Sequence, residues 1–224
     1  MRPLGRLRWP FRREKPASFA LNELDVKLAR WLGDKRDGFF IEAGANDGVA
    51  QSNTLYFERY LGWRGLLVEP IPALAEACRR NRPKAIVENA ALVPFGFAGD
   101  TVEMSYCNLM SVVKGGMRSA AEEREHIAAG CAVQQVATYD LVVPACPLQA
   151  ILDRHGIAAA DLLVLDVEGF EAKVLQGIDF TRFAARHLLI EARYRDEVEA
   201  VLAGRYAAVA TLSHHDVLYR DARI

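Results

Sequence analysis

Four short apolar runs, each ending beside an acidic residue, constrain the fold of this chain more than any other feature. They are FFIEAG from Phe39, GLLVE from Gly65, DLLVLD from Asp161 and HLLIE from His187. Each run is too apolar for a strand with one solvated face, and such runs belong to parallel sheets covered on both faces. Helical spacing separates them, as in residues 72–81 and 148–155. This alternation predicts an α/β fold with a doubly wound, mostly parallel sheet.

Length and charge limit the classes of protein that the chain can represent. With 224 residues, 51% of them apolar, it fits one large domain with a core of its own. A net charge of -1 argues against a nucleic-acid partner. The four cysteines (Cys78, Cys107, Cys131 and Cys146) include no CxxC pair, so we expect reduced thiols and a cytoplasmic protein. The sequence has no signal-peptide core and no apolar run long enough to cross a membrane.

The first 18 residues differ from the rest of the chain. Six basic residues stand there against one acidic residue, Glu14, and Pro3, Pro10 and Pro16 oppose one continuous helix. We expect a flexible tail, able to make peripheral contact with an anionic membrane, such as the inner membrane surface, or with an acidic partner. Residues 19–224 would then form the folded domain.

The helical and strand patterns are less regular in the middle of that domain. The sequence predicts a third strand over residues 85–92 and an irregular substrate-side insertion at about 94–145. Within the insertion we expect short strands at 101–106 and 133–139 and a helix at 119–129. Regular alternation then returns, with a helix predicted over residues 168–176 and a terminal strand pair.

The segment after the first apolar run, GANDGVAQSNT, is typical of a ligand-binding loop between a strand and a helix. A dinucleotide would need GxGxxG, but Asn46 and Val49 occupy the later glycine positions. Glu42 and Asp47 would also repel a pyrophosphate, by roughly 4 kcal/mol for unit charges about 4 Å apart at an effective dielectric of about 20. S-adenosylmethionine (SAM) has no phosphate, and its sulfonium and ammonium groups are cationic. The loop therefore favours SAM.

The details of the loop support this interpretation. Its pattern is an acid followed by three glycines at alternate positions, in which Asn46 replaces the middle glycine; Asn tolerates positive φ, so we predict a positive or near-bridge φ at Asn46. Glu69 ends the next apolar run, where a carboxylate can hold both ribose hydroxyls. Asn89, Ala90 and Ala91 are expected to frame the adenine. The predicted cofactor-binding residues are Glu42, Gly44, Ala45, Asn46, Asp47, Gly48, Ser52, Asn53, Thr54, Glu69, Pro70, Asn89, Ala90, Ala91 and Asp166.

Three segments together resemble one known family. GANDGVAQSNT, LGWRGLLVEPIP and DLLVLDVEGFEAKVLQGI are similar, in order and spacing, to those of the FkbM-type SAM-dependent methyltransferases, over about residues 19–194. The resemblance implies the class I methyltransferase (Rossmann-like) fold, a seven-stranded sheet with an antiparallel C-terminal strand. It also implies methylation of a hydroxyl oxygen on a sugar, a glycan or a natural product. The basic tail and the insertion lie outside the recognisable pattern.

Methyl transfer to an alcohol needs an aligned hydroxyl and benefits from a base. We predict that Asp166, Glu168 and Glu191, at the ends of two strands, are the catalytic residues, with Arg193 and Tyr194 beside the acceptor. Asp166 and Glu168 could together hold a divalent cation with a substrate diol. No third ligand stands out in the sequence, so no metal is predicted.

Two other classes of protein remain open. An NAD(P)-dependent oxidoreductase shares the sheet architecture, and Gly44 with Glu69 gives it some support. A non-catalytic module with a methyltransferase-like fold, binding at a membrane, would explain the basic tail. The acceptor, the general base and the oligomeric state do not follow from the sequence.

Overall fold

The computed structural model describes residues 17–223. Most of the predicted basic tail, residues 1–16, therefore lies outside the described part of the chain. The first half of the domain alternates helices and strands as predicted. After a 3₁₀ turn at Leu21–Glu23 come α1 (Leu24–Trp31), β1 (Phe39–Ala43), α2 (Leu55–Leu61), β2 (Arg64–Val68), α3 (Pro72–Asn81) and β3 (Ile86–Glu88).

The remaining elements fall into a middle group and a second alternating group. The middle group is β4 (Ala91–Leu92), β5 (Thr101–Tyr106), a 3₁₀ turn (Asn108–Met110), β6 (Val112–Val113), α4 (Ala120–Gln134) and β7 (Tyr139–Cys146). The second group is α5 (Leu148–His155), β8 (Ala159–Leu165), α6 (Glu171–Leu175), β9 (Ala184–Glu191), α7 (Arg195–Leu202), β10 (Tyr206–Thr211) and β11 (Asp216–Asp221).

The main sheet has seven strands in the order β10-β11-β9-β8-β1-β2-β3. All neighbouring pairs are parallel except those of β11, which runs antiparallel to both β9 and β10. Helices α1 and α2 cover one face and α5, α6 and α7 cover the other, so the central strands are buried on both sides. The predicted doubly wound sheet with an antiparallel strand near the C-terminus is confirmed. Chain order reverses between β1 and β8, which places the topological switch point beside the loop after β1.

The middle group forms a second sheet of four strands, in the order β4-β7-β5-β6. One of its faces packs through Val102, Met104 and Val143 against Ile71. Helix α4 stands at one end, where its Cys131 sulfur lies 3.5 Å from that of Cys107. Two of the four cysteines, far apart in sequence, thus meet as free thiols.

Three predicted elements differ from those of the structure. The strand over 85–92 is split, because Asn89 turns its side chain back to the carbonyls of Glu69 and Pro70, and β3 and β4 join different sheets. The strand over 133–139 is absent, since α4 continues to Gln134 and β7 begins only at Tyr139. The helix over 168–176 starts later, at Glu171, because Glu168 has a left-handed φ of +56°.

None of the helices within residues 17–223 combines the length and the apolarity needed to cross a bilayer.

Candidate active site

A cavity of about 430 Å³ opens at the carboxyl ends of β1, β2, β8 and β9. This is where doubly wound sheets bind their ligands. The middle group of elements closes the opposite side through Met104, Asn108–Met110 and Gln134. The predicted residues that line the cavity are Glu42, Gly44, Ala45, Asn46, Ser52, Asn53, Glu69, Pro70, Ala90, Ala91, Asp166, Glu168 and Glu191.

The loop after β1 is held tightly against the two neighbouring strands. Asn46 has a φ of +49°, as predicted for the residue that replaces the middle glycine. Its backbone N–H donates to Glu69 Oε2 at 2.8 Å. Gly44 has a φ of +85°, and a Cβ there would lie 1.8 Å from the backbone oxygen of Asp166. The loop therefore needs a glycine at position 44 for two independent reasons.

Glu42 lies beneath the loop and organises it. Its carboxylate accepts hydrogen bonds from Asn53 N–H at 2.8 Å and from the hydroxyls of Ser52 at 3.1 Å and Thr54 at 2.5 Å. Burial raises the pKa of Glu42, while Arg82 and these donors oppose the rise. Glu42 thus anchors the loop, and its predicted role in binding the cofactor stays a prediction.

Arg82 compensates the buried charge of Glu42, a role that the sequence analysis did not predict. Its side chain is fully buried, forms an ion pair with Glu58 at 2.9 Å and donates to Gly48 O, Ser52 Oγ and Thr54 Oγ1. In sequence it follows Arg79 and Arg80 at the end of a helix and resembles a surface charge. The Arg82 guanidinium thus joins the Glu58 carboxylate, the backbone of the loop and the two hydroxyl groups that donate to Glu42.

Glu69 occupies the end of β2 with both oxygens turned to backbone donors. Oε2 accepts from Asn46 N–H, and Oε1 accepts from Ile71 N–H at 2.9 Å. Burial raises the pKa of Glu69 to about 7, and the two hydrogen bonds lower it in part. Each carboxylate oxygen can accept a second hydrogen bond, and Glu69 lines the cavity, so a ligand hydroxyl can donate to it.

Four predicted cofactor-binding residues lie behind the cavity wall instead of on it. Asp47 Oδ1 accepts the N–H groups of Val49 and Ala50, each at 2.8 Å, so its charge is turned to its own loop. Gly48 faces Arg82 and Cys78. The other two are Thr54, which donates to Glu42, and Asn89, which braces the chain after β2. These residues support the wall, and direct cofactor contact for them stays a prediction.

Asp166, Glu168 and Glu191 converge at the other end of the cavity. Each offers an oxygen within 4.8 Å of those of the other two. Burial is the main cause that raises the pKa of all three. Neighbouring carboxylates raise the pKa of Asp166 and Glu168 further, whereas Arg193 opposes the rise at Glu191. Carboxyl groups this close cannot all be ionised unless a cation neutralises them. The three residues predicted to be catalytic are therefore brought together.

Two basic groups approach this acidic cluster of Asp166, Glu168 and Glu191. Arg193 Nη2 donates to Glu168 Oε2 at 3.3 Å. On the opposite side, His126 of helix α4 places Nε2 3.3 Å from the same oxygen. The pKa of His126 is lowered, mainly by burial and then by Arg193, which favours the neutral imidazole. His126 received no role from the sequence, because it lies on a helix of the insertion, remote from the loop and strand-end motifs.

The cluster also bears on metal binding. The sequence indicates two candidate ligands close together, Asp166 and Glu168, and no third. The structure brings Glu191 from the neighbouring strand to the same place. The carboxyl ends of β8 and β9 are adjacent only in the fold. Asp166 and Glu191 lie 25 positions apart in sequence, so the sequence alone does not indicate that they share a site.

Three amide side chains link the insertion to the loop after β1. Asn46 Nδ2 donates to Asn108 Oδ1 at 3.2 Å, and Asn108 Nδ2 donates to Gln134 Oε1 at 3.0 Å. The end of α4 and the 3₁₀ turn thereby form a wall across the cavity from the sheet.

A seven-stranded sheet of this order, with a ligand cavity at its carboxyl edge, defines a class I methyltransferase fold, and the protein is a methyltransferase. The model of the methyltransferase FkbM domain matches residues 42–218, so the chain belongs to that family. The resemblance noted in the sequence is confirmed. A search of curated proteins finds no match.

Solved structures with a similar fold are distant in sequence. A TehB-like SAM-dependent methyltransferase from Corynebacterium glutamicum is 11% identical, with a TM-score of 0.46, over 88% of this chain and 87% of that one. An FkbM methyltransferase from Methylobacillus flagellatus is 15% identical, with a TM-score of 0.47, over 82% of this chain and 43% of that one. A SAM-dependent methyltransferase from Aquifex aeolicus is 11% identical, with a TM-score of 0.43, over 88% of both chains.

Proposed function

We propose that the protein is a SAM-dependent O-methyltransferase that acts on a hydroxyl group of a sugar, a glycan or a natural product. One observation carries the proposal: the cavity has acidic residues at both ends. Glu69 stands at one end and Asp166, Glu168 and Glu191 at the other, whereas Arg193 is the one basic side chain among the described residues that line it. A negatively charged wall favours a cationic ligand and disfavours a pyrophosphate.

The residues present fit the proposed cofactor. The loop from Gly44 to Asn46 offers backbone groups at close approach, and Glu69 can accept hydrogen bonds from ribose hydroxyls. Ala90 and Ala91 offer an apolar wall for the adenine. The Glu42 carboxylate, which also lines the cavity, suits the ammonium end. SAM, when bound, supplies the electrophilic methyl group. The protein's part is to position that group and to keep water away from it.

The chemistry of the acceptor is inferred from the acidic cluster. Carboxyl oxygens that face the cavity can accept the hydrogen bond of an alcohol and receive its proton. Val113 and Phe170 line the cavity beside them, and the wall formed by the insertion limits the access of water. An aligned hydroxyl beside carboxyl groups in a cavity closed by apolar side chains is what O-methylation requires.

The oxidoreductase alternative is weakened by the same geometry. Asn46 and Val49 occupy positions that a dinucleotide loop fills with glycine, and the loop offers no basic side chain to a pyrophosphate. A non-catalytic binding module would use the same cavity, and only an activity measurement separates it from an enzyme.

Calorimetric titration of the purified full chain with SAM, with its demethylated product and with NAD tests the cofactor. We expect heat with the first two ligands and none with NAD. Binding of NAD alone would reverse the assignment. Mass spectrometry of cell-envelope glycans and small metabolites, with and without the protein, then tests the acceptor. A gain of one methyl group is expected on a hydroxyl-bearing compound; cofactor binding without any methylated product would favour the non-catalytic module.

A further inference from the structure

The acidic cluster presents more hydrogen-bond acceptors than the surrounding side chains supply donors. Asp166, Glu168 and Glu191 bring three carboxyl groups within 4.8 Å of one another. Glu191 Oε2 is buried without a hydrogen-bond partner among the described residues, although buried polar atoms are almost always paired. Among the described residues, the side chain that donates to the cluster is Arg193, through one contact with Glu168. Asp166 and Glu191 form no ion pair within residues 17–223, so the cluster carries more negative charge than Arg193 neutralises.

His126 supplies a second, independent observation of the same kind. The residue is 7% exposed, and its Nε2 makes no hydrogen bond in the described structure although Glu168 Oε2 is 3.3 Å away. A buried polar atom left unpaired costs about 1–3 kcal/mol. Nε2 of His126, buried and unpaired among the described residues, thus points to a further group bound beside Glu168.

The charge of the cluster indicates what that group is. Three ionised carboxylates and the Arg193 guanidinium leave a charge of about -2, which one divalent cation neutralises. Asp216, which also lines the cavity, adds to the negative potential. Carboxylate oxygens are the ligands that hard divalent cations prefer.

We propose that Asp166, Glu168 and Glu191 ligate a divalent cation, Mg²⁺ or Mn²⁺, at the acceptor end of the cavity. Three protein ligands leave coordination positions open on the cavity side, where water or an acceptor hydroxyl can bind. Binding of the cation does not depend on the identity of the acceptor. Its use, which rests on the proposed function, is to hold the acceptor oxygen and ease the transfer of its proton to a carboxylate oxygen of the cluster.

Binding of Mn²⁺ to the purified, chelator-treated full chain tests the site without an acceptor. The electron paramagnetic resonance signal of free Mn²⁺ should fall as protein is added, with one ion per chain and a dissociation constant below about 1 mM, the weak end for carboxylate sites in proteins. Mg²⁺ should compete for the same site. Glu191→Gln should weaken Mn²⁺ binding at least about tenfold, the smallest effect seen even for the loss of an outer-shell partner.

A matched control is Glu122→Gln on helix α4, a nearby carboxylate outside the cluster that accepts from the Tyr194 hydroxyl. It should bind Mn²⁺ as the wild type does. If Glu191→Gln does not fold, as judged by its melting transition, Glu168→Gln serves in its place. Wild-type protein that binds no Mn²⁺, or variants that bind it unchanged, would overturn the proposal.

Titration with SAM in the presence of a chelator separates this proposal from the function itself. If SAM binds but Mn²⁺ does not, the cation site is wrong and the cofactor assignment stands. If Mn²⁺ binds but SAM does not, the cofactor assignment is wrong and the cation site stands.

Discussion

Glu69 Oε2 accepts a hydrogen bond from the backbone N–H of Asn46 at 2.8 Å and so joins the end of β2 to the loop after β1. This bond explains how the loop tightens where an asparagine replaces a glycine. The left-handed conformation of Asn46 turns its N–H toward β2, and a buried carboxylate receives it. The acidic residue predicted to hold a ribose therefore also shapes the loop beneath it.

Glu69→Ala should weaken SAM binding at least about tenfold, equivalent to about 1.4 kcal/mol. It removes the proposed ribose contact and also leaves the N–H groups of Asn46 and Ile71 without an acceptor, which costs about 1–3 kcal/mol each. Calorimetric titration and chemical denaturation measure the two effects. Glu88→Ala is the control, because Glu88 ends the neighbouring strand but pairs with Arg154 and His155 outside the cavity. Equal affinity in both variants would remove Glu69 from the cofactor site.

Gly44→Ala should destabilise the fold and abolish SAM binding. The added methyl group would meet the Asp166 backbone oxygen at 1.8 Å, in addition to the strain of a left-handed residue. Gly96→Ala provides the comparison, since Gly96 also has a positive φ, +76°, but nothing lies within 4 Å of its added Cβ. Urea denaturation should show a clearly larger loss for Gly44→Ala, and equal losses would mean that backbone strain alone matters at position 44.

The sequence predicts the main sheet well because local pattern and tertiary burial agree there. The buried runs ending at Glu42, Glu69 and Glu191 are apolar on both faces, so the pattern indicates a central parallel strand and little else. The insertion was harder to predict because its elements depend on contacts with the rest of the fold. Asn89 breaks a strand through hydrogen bonds to the segment after β2, and no pattern within residues 85–92 contains those partners.

The same limit applies to the site. Loop residues such as Gly44 and Asn46 were predicted because strand, turn and helix are contiguous in sequence. Arg82 and His126 were not, since each reaches its partner from an element that the local sequence presents as ordinary helix. The sequence does not show that such a side chain is buried, and only the fold shows which carboxylate it faces.

Arg82→Leu should cost about 3–5 kcal/mol of unfolding free energy, the usual penalty for removing one partner of a buried ion pair. It leaves the Glu58 carboxylate unpaired and removes the charge that compensates Glu42. Arg80→Leu on the same helix is the control; its pair with Glu76 is exposed and worth at most about 1 kcal/mol. Guanidinium denaturation of both variants measures the difference. Similar costs would show that Arg82 does not hold the loop.

The pH dependence of stability should be flatter in Glu171→Gln than in the wild type. Glu171 Oε1 accepts the N–H groups of Val167 and Gly169, and a glutamine oxygen can accept the same two bonds. Burial raises the pKa of Glu171 from 4.5 to about 7. A carboxyl with a raised pKa in the folded state binds its proton more tightly there. Its contribution is therefore fully present below about pH 4.5 and is lost as the pH rises through about 7.

The shift in the pKa of Glu171 corresponds to roughly 3 kcal/mol. Between pH 4.5 and pH 8 the wild type should lose about that much more unfolding free energy than Glu171→Gln. Buried carboxyls elsewhere, such as Glu69, are common to both proteins. The charge of Glu171 also raises the pKa of Asp166 and Glu168, so its removal flattens the curve in the same direction. Glu125→Gln, at an exposed position of α4, should follow the wild-type curve. Parallel curves for the wild type and Glu171→Gln would mean that water reaches this carboxyl and that burial does not control its proton.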